Sequence, residues 1–243
     1  MRPRGGAAAQ ALLFDFDNTL HDQGAAYRRA LEVGVAPHFA PGITVDDVAA
    51  RCHASWAELW AAYVAGRLDE DGLYTAWFAS MRAATGGQAR TADLRGAFEA
   101  AEDAALRPYP DVLPALAAAR ALRPGIRLAV VTNGAARRQR ARLEGMGLVR
   151  EIPVLVISGA LGVAKPEPGI FARALADLGV AAEQAVMVGD SPEADVAGAK
   201  RAGLGAVWLN RAGVAWPEGV APGPDAVAAD LQAAVRAALG SEA

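Results

Sequence analysis

The sequence predicts an α/β protein: a Rossmann-like, doubly wound parallel sheet with an all-helical subdomain inserted after the first strand. Three observations carry that expectation. Five short runs, at residues 11–16, 126–132, 154–158, 185–189 and 206–209, are apolar, mostly without alternation, and bounded by Gly, Pro, Asp or Asn. Strands that are apolar on both sides suit a parallel sheet covered by helices on each face. Helical stretches alternate with the later runs, which is the order of a doubly wound core. Residues 22–105, by contrast, hold no strand-like run.

Taken in chain order, residues 1–9 combine Arg2, Arg4 and three alanines. Asp15 and Asp17 interrupt the apolar stretch that follows, so the segment reads as a flexible tail on a cytoplasmic protein rather than a signal peptide. The first strand runs into Asp15-Phe16-Asp17-Asn18-Thr19. The insertion then reads as four helices, about 24–38, 45–65, 69–84 and 91–105. Thr44 before Asp46 and Asp47 has the pattern of a helix start. Leu73, Trp77 and Met81 recur every four residues and so share one helix face. Val48, Trp56, Leu59, Trp60 and Tyr63 form a second apolar stripe, expected to be core rather than a ligand surface. An insertion this long exceeds an ordinary crossover. The expected division is a core of residues 10–21 and 106–243 and a helical cap of residues 22–105. Beyond it, Asp111 is expected to cap a helix over 111–122. Helices over 136–146, 168–178 and 192–202 stop at Gly147, Gly179 and Gly203, the last two after opening on proline.

Bulk properties narrow the function classes. The 243 residues fit one large or two small domains. Apolar residues at 53% supply a core, and a formal net charge of -3 gives no broad positive field for a nucleic-acid polymer. No uncharged apolar run approaches the ~18 residues of a membrane span. Cys52 is the one cysteine, so an internal disulfide is excluded and a small buried side chain is expected. His21, His38 and His53 are scattered without ligand spacing, which argues against zinc. His21 reads as a solvated loop residue.

Ligands of open α/β sheets bind beyond the carboxyl ends of the strands. Those ends carry four polar clusters: Asp15 with Asp17 and Thr19; Thr132-Asn133-Gly134; Lys165-Pro166; and Gly189-Asp190 with Asp195. Each alone is weak, since a carboxylate after a strand is more often a helix cap. All four in order are hard to explain that way. Asp15, Asp17 and Asp190 in one crevice would repel unless a cation compensates, and carboxylate oxygens suit magnesium. Of 24 lysines plus arginines, only Lys165 and Lys200 are lysine. A compact ammonium at Lys165 can enter a crowded site as a point charge. Lys200 reads as an exposed helix residue.

These residues resemble the four motifs of the haloacid dehalogenase (HAD) superfamily. Asp15, Asp17 and Thr19 match the first, Thr132 the second, Lys165 the third, and Asp190 with Asp195 the fourth. The helical insertion is similar to the family's C1-type cap. Tyr109 to Leu113, Val131 to Gly134, Val156 to Ser158, Val163 to Pro166, Met187 to Asp190, and Asn18 in the first motif resemble the branch of nucleoside 5′-monophosphatases and N-acylneuraminate-9-phosphatase, and Trp208 to Asn210 resembles the bacterial nucleotidases.

The resemblance implies a magnesium-dependent phosphomonoesterase acting on a small phosphorylated metabolite such as a nucleoside 5′-monophosphate, as monomer or homodimer. It makes Asp15 the nucleophile and Asp17 the acid and base, kept protonated for the first step by burial under a closed cap. Asp15, the Asp17 carbonyl and Asp190 would bind the metal, with Asp195 behind them. Thr132, Asn133 and Lys165 would hold phosphoryl oxygens. Asp17 favours phosphoryl transfer over dehalogenation, since a leaving halide needs no proton. Sugar-phosphate or phosphoglycolate hydrolysis, dehalogenation of 2-haloacids, and a silent binding role on the same fold are the competing readings.

Overall fold

A computed structural model describes residues 9–240. They divide into two compact units, one formed by the chain up to His21 and from Pro108 onward, the other by Asp22–Arg107. Apart from Ala9, the expected N-terminal tail lies outside the described residues.

The first unit holds a parallel sheet of six strands: β1 (Ala11–Phe14), β2 (Arg127–Thr132), β3 (Val154–Ile157), β4 (Ala185–Gly189), β5 (Gly205–Leu209) and β6 (Ala226–Ala228). Their order is β3-β2-β1-β4-β5-β6. The chain builds outward from β1 to β3, then crosses to the other side of β1 for β4. The switch point therefore lies beyond the end of β1, flanked by β2 and β4. This is the crevice where doubly wound sheets bind ligands.

Side chains along β1 alternate between two cores. Leu12 and Phe14 join Leu116, Val130, Val188 and Val235 on one face. Ala11 and Leu13 join Ile170, Phe171, Met187 and Val196 on the other. Helices Val112–Leu122 and Leu231–Leu239 cover the first face, and helix Pro168–Leu178 the second. Burial on both faces is why these strands lack polar alternation.

Several details depart from the expected elements. The sixth strand was not foreseen: Ala226-Val227-Ala228 is three residues long and carries little strand signal. Asp225 anchors it, accepting from the Ala206 amide at 2.8 Å and from Lys200. Lys200 is thus an ion-pair partner rather than a free surface charge. The expected helix over 192–202 begins instead as a π-helix, Pro192–Ala197, and continues as Gly198–Arg201. Its wider turn is visible in the Val196 amide, which reaches back to Ser191 O at 3.2 Å. Asp111 precedes helix Val112–Leu122 but its carboxylate does not cap it. It accepts from Arg211 Nη1 at 2.9 Å and from the Leu231 amide at 2.7 Å, fastening the start of the last helix.

The second unit is helical, with helices Gln23–Ala30, Val45–Val64, Glu70–Thr85 and Thr91–Ala105. The first was expected to run to His38. It passes instead into a π turn at Leu31–Val35 and a 3-10 turn at Ala36–His38. Gly34 explains the close fit here, since a Cβ would run into the backbone of Ala97. Thr44 and Asp47 form a reciprocal capping box, satisfying orphan amides of the second helix. Leu73, Trp77, Met81, Val48 and Cys52 are buried in one cluster with Phe78 and Phe98. The Trp56, Leu59, Trp60 and Tyr63 stripe is half-buried rather than core. No described helix is long and apolar enough to cross a membrane.

Asp111→Ala should destabilise the protein by about 2 kcal/mol, because Arg211 and the Leu231 amide both lose an acceptor. Denaturant unfolding of the two proteins measures the difference, and an unchanged midpoint would refute it.

Candidate active site

Asp15 follows β1 and its amide still pairs with Val188 O at 3.0 Å, so the carboxylate is held at the sheet edge. Lys165 reaches the same place from the loop after β3. The residue is 5% exposed, and its ammonium uses all three donors within the chain. They go to Asp15 Oδ1 and Asp195 Oδ1, each at 2.6 Å, and to Val131 O at 2.7 Å. The π turn aims Asp195 inward, where its second oxygen accepts from the Ser191 amide at 2.9 Å. Gly189 leaves room for it, since a Cβ there would run into the Asp195 carboxylate. Asp190 follows β4, and its carbonyl accepts from Trp208 Nε1 at 2.9 Å. Carboxylate oxygens of Asp15, Asp190 and Asp195 lie within 4.8 Å of one another.

One ammonium cannot neutralise three acids. Burial raises the Asp15 carboxyl well above its ordinary value; Lys165 opposes this, while Asp195, Asp190 and Asp17 push it further up. Burial, then repulsion from Asp195, pushes Asp190 up to about 6 despite Lys165. Burial alone would lower the Lys165 ammonium, but Asp15 and Asp195 more than reverse it and raise it. The excess negative charge and all-oxygen donors fit a hard divalent cation, with Asp15 and Asp190 the freer ligands. Asp195 is already occupied by Lys165 and Ser191.

Asp17 belongs to a second cluster. Its Oδ1 lies 2.9 Å from His21 Nε2 and 3.0 Å from Arg142 Nη1, and its Oδ2 accepts from Gln139 Nε2 at 2.8 Å. Burial would raise this carboxyl, but Arg142, His21 and Gln139 outweigh it and bring it down to about 2. The guanidinium facing the carboxylate therefore works against the protonated Asp17 expected from burial alone. His21 is likewise not solvated: it is 0% exposed and packs its ring 4.5 Å from that of Phe16. Its Nε2 also lies 3.0 Å from Arg142 Nη2. One ring nitrogen cannot both donate and accept there. We assign its proton to the bond with Asp17, an acceptor-only group; Nδ1 is buried with no partner among the described residues.

Thr132 ends β2 and Asn133 follows it. The Thr132 hydroxyl accepts from Gln139 Nε2 at 3.0 Å. Asn133 spends its side chain on the backbone of Lys165, donating to its carbonyl and accepting from its amide, each at 2.8 Å. Thr19 Oγ1 is 3.4 Å from Asp190 Oδ1. Asp15, Lys165, Asp190 and Asp195 thus share one cluster, while Asp17 and Thr132 meet through Gln139. Gln139 and Arg142 were not singled out from sequence. Their i, i+3 spacing after Thr132-Asn133-Gly134 was a usable signal, masked by neighbouring Arg137, Arg138 and Arg140.

Fold and site define a doubly wound α/β hydrolase with an aspartate-centred site. The chain belongs to the haloacid dehalogenase-like hydrolases, matching that family over residues 9–203. It is 35% identical to a phosphoserine phosphatase of Thermus thermophilus, over 91% of this chain and 96% of that protein. It is 34% identical to the pyrimidine 5′-nucleotidase YjjG of Escherichia coli, over 68% of this chain and 71% of that protein. A 2-haloacid dehalogenase of Pseudomonas syringae superposes with a TM-score of 0.65 at 26% identity, covering 94% of this chain and 97% of its own.

Lys165→Met should cost roughly 3–5 kcal/mol near neutral pH, since it strands two buried carboxylates. The deficit should shrink toward pH ~5, where raised carboxyls take up protons. Urea unfolding in EDTA at both pH values tests this; a pH-independent deficit would contradict it.

Proposed function

We propose that the protein is a magnesium-dependent phosphomonoesterase for a small phosphorylated metabolite. The observation that carries this reading is the convergence of Asp15, Lys165, Asp190 and Asp195 at the switch point of the sheet. Asp15 attacks phosphorus through a carboxylate oxygen, forming an aspartyl-phosphate as the ester oxygen departs. Asp17 gives that oxygen a proton, then takes one from the water that cleaves the aspartyl-phosphate. Asp15, Asp190 and the Asp17 carbonyl would hold magnesium, which offsets negative charge on the phosphoryl group. The Thr132 hydroxyl donates to a phosphoryl oxygen. Lys165, with its donors engaged, acts mainly as the counter-charge that lets Asp15 and Asp195 coexist. Asn133 sets the Lys165 backbone.

The ionised Asp17 suits the second half-reaction directly. The first half needs it protonated. An arriving phosphate dianion offsets Arg142 and raises the carboxyl toward that state.

Two substrate classes have specific support. The likeness to the pyrimidine nucleotidase favours a nucleoside 5′-monophosphate. The likeness to the phosphoserine phosphatase, over more of the chain, favours phosphoserine. Asp17, a group that can protonate an alkoxide, supports either over dehalogenation. Phosphate release across nucleotides, phosphoserine, sugar phosphates and phosphoglycolate, with and without magnesium, separates them. Chloride release from 2-haloacids in place of phosphate release would reject the proposal.

Asp15→Asn should abolish turnover while leaving the unfolding transition intact, as read by phosphate release and circular dichroism. Asp17→Asn should slow alkyl phosphates by about 10²-fold or more, and p-nitrophenyl phosphate much less, because its leaving group needs little protonation. Equal losses would remove the acid role. Magnesium should also stabilise the protein in a pH-dependent way. Asp190 titrates at about 6 when folded against 3.8 ordinarily, so it favours the fold at low pH and this advantage is lost as pH rises through about 6. A bound cation removes that penalty, and the rise in Tm with magnesium over EDTA should be larger at pH ~7.5 than at pH ~5.

A further inference from the structure

Gln139 has no part in the reaction set out above, and Arg142 enters it only through its charge beside Asp17. They are 3% and 5% exposed. A buried polar side chain is costly unless satisfied, so its bonds indicate why it is there. Arg142 Nη1 donates to Gln139 Oε1 at 2.7 Å. That fixes the orientation of the amide, with its carbonyl toward the guanidinium and its NH₂ turned away. The NH₂ has two hydrogens and meets Asp17 Oδ2 at 2.8 Å and Thr132 Oγ1 at 3.0 Å. Having accepted this bond, the Thr132 hydroxyl keeps its own hydrogen for another partner. Its acceptor within the chain, Asn133 O, is distant at 3.5 Å. Gly134 makes the arrangement possible, since a Cβ there would collide with the Gln139 side chain.

We propose that Gln139, oriented by Arg142, is a positioning residue that couples the acid–base carboxylate of Asp17 to the phosphoryl donor Thr132. One NH₂ holds the carboxylate in place and turns the threonine hydroxyl into a donor aimed at substrate. The inference rests on the phosphatase reading and adds the residues that support its two halves.

Gln139→Leu keeps the side chain's size and removes both donors. Its kcat should fall by about 10²-fold on an alkyl phosphate and about tenfold or less on p-nitrophenyl phosphate. KM should rise severalfold for both, as Thr132 loses its orientation. A purely structural residue would instead lower both kcat values by one factor, in step with the folded fraction, and leave KM unchanged. That result overturns the proposal. Gln139→Glu covers the case in which the leucine variant does not fold. It keeps the bond from Arg142 but presents oxygen to Asp17 and Thr132, and should show the same split; wild-type kinetics would overturn the coupling. No phosphate release by the wild type would defeat the phosphatase reading itself. A working wild type with the expected Asp17→Asn split, but uniform losses in the Gln139 variants, would defeat this inference alone.

Discussion

A single ammonium group, Lys165 Nζ, bonds at once to the first strand's Asp15, to Asp195 after the fourth, and to the Val131 carbonyl of the second. Three segments far apart in sequence are thereby drawn onto one atom. Buried carboxylates repel and are costly to desolvate, so this corner could not close without a cation between them. Lysine suits the place because its charge is compact and its three hydrogens diverge. Neutralisation is deliberately incomplete: three acids face one ammonium, and the raised carboxyls of Asp15 and Asp190 register the surplus. That surplus, on oxygen donors alone, suits the corner to a hard divalent ion.

The second cluster has the opposite balance. Asp17 alone faces the Arg142 guanidinium, with His21 and Gln139 completing its bonds. Two neighbouring aspartates on one turn therefore live in different electrostatic surroundings. One has its charge penalised by like neighbours, and the other has it favoured by an unlike one. Environments that pull identical groups apart are how one residue type can serve two chemical roles.

Much of this was legible in advance. The five longer strands are double-sided apolar runs, and burial on both faces leaves that mark. Three of the four polar clusters stood at strand ends, where a doubly wound sheet exposes its ligand crevice, while Lys165 lies beyond a short helix, Ser158–Leu161, that follows β3. What was missed depends on tertiary context. The three-residue strand at Ala226–Ala228 exists because Asp225 fastens it, which no local pattern announces. The π turn that aims Asp195 looks in sequence like ordinary helix. Arg142 is one of several arginines on a strongly basic helix, and its burial beside Asp17 follows only from the packing of its side chain against Phe16 and His21 in the turn after β1. The pull on Asp17 went unseen for the same reason: burial was anticipated, its guanidinium partner was not.

Where the chain departs for the helical insertion and where it returns, the backbone is stitched. His21 and Pro108 form an antiparallel bridge, and the Tyr109 amide donates to Leu20 O at 2.9 Å. The excursion of Asp22–Arg107 is a closed detour whose two ends already meet. Loop-closure entropy grows only slowly with length once the ends are tied. Evolution could lengthen, shorten or exchange the detour without redrawing the sheet or the aspartate–lysine cluster at its switch point.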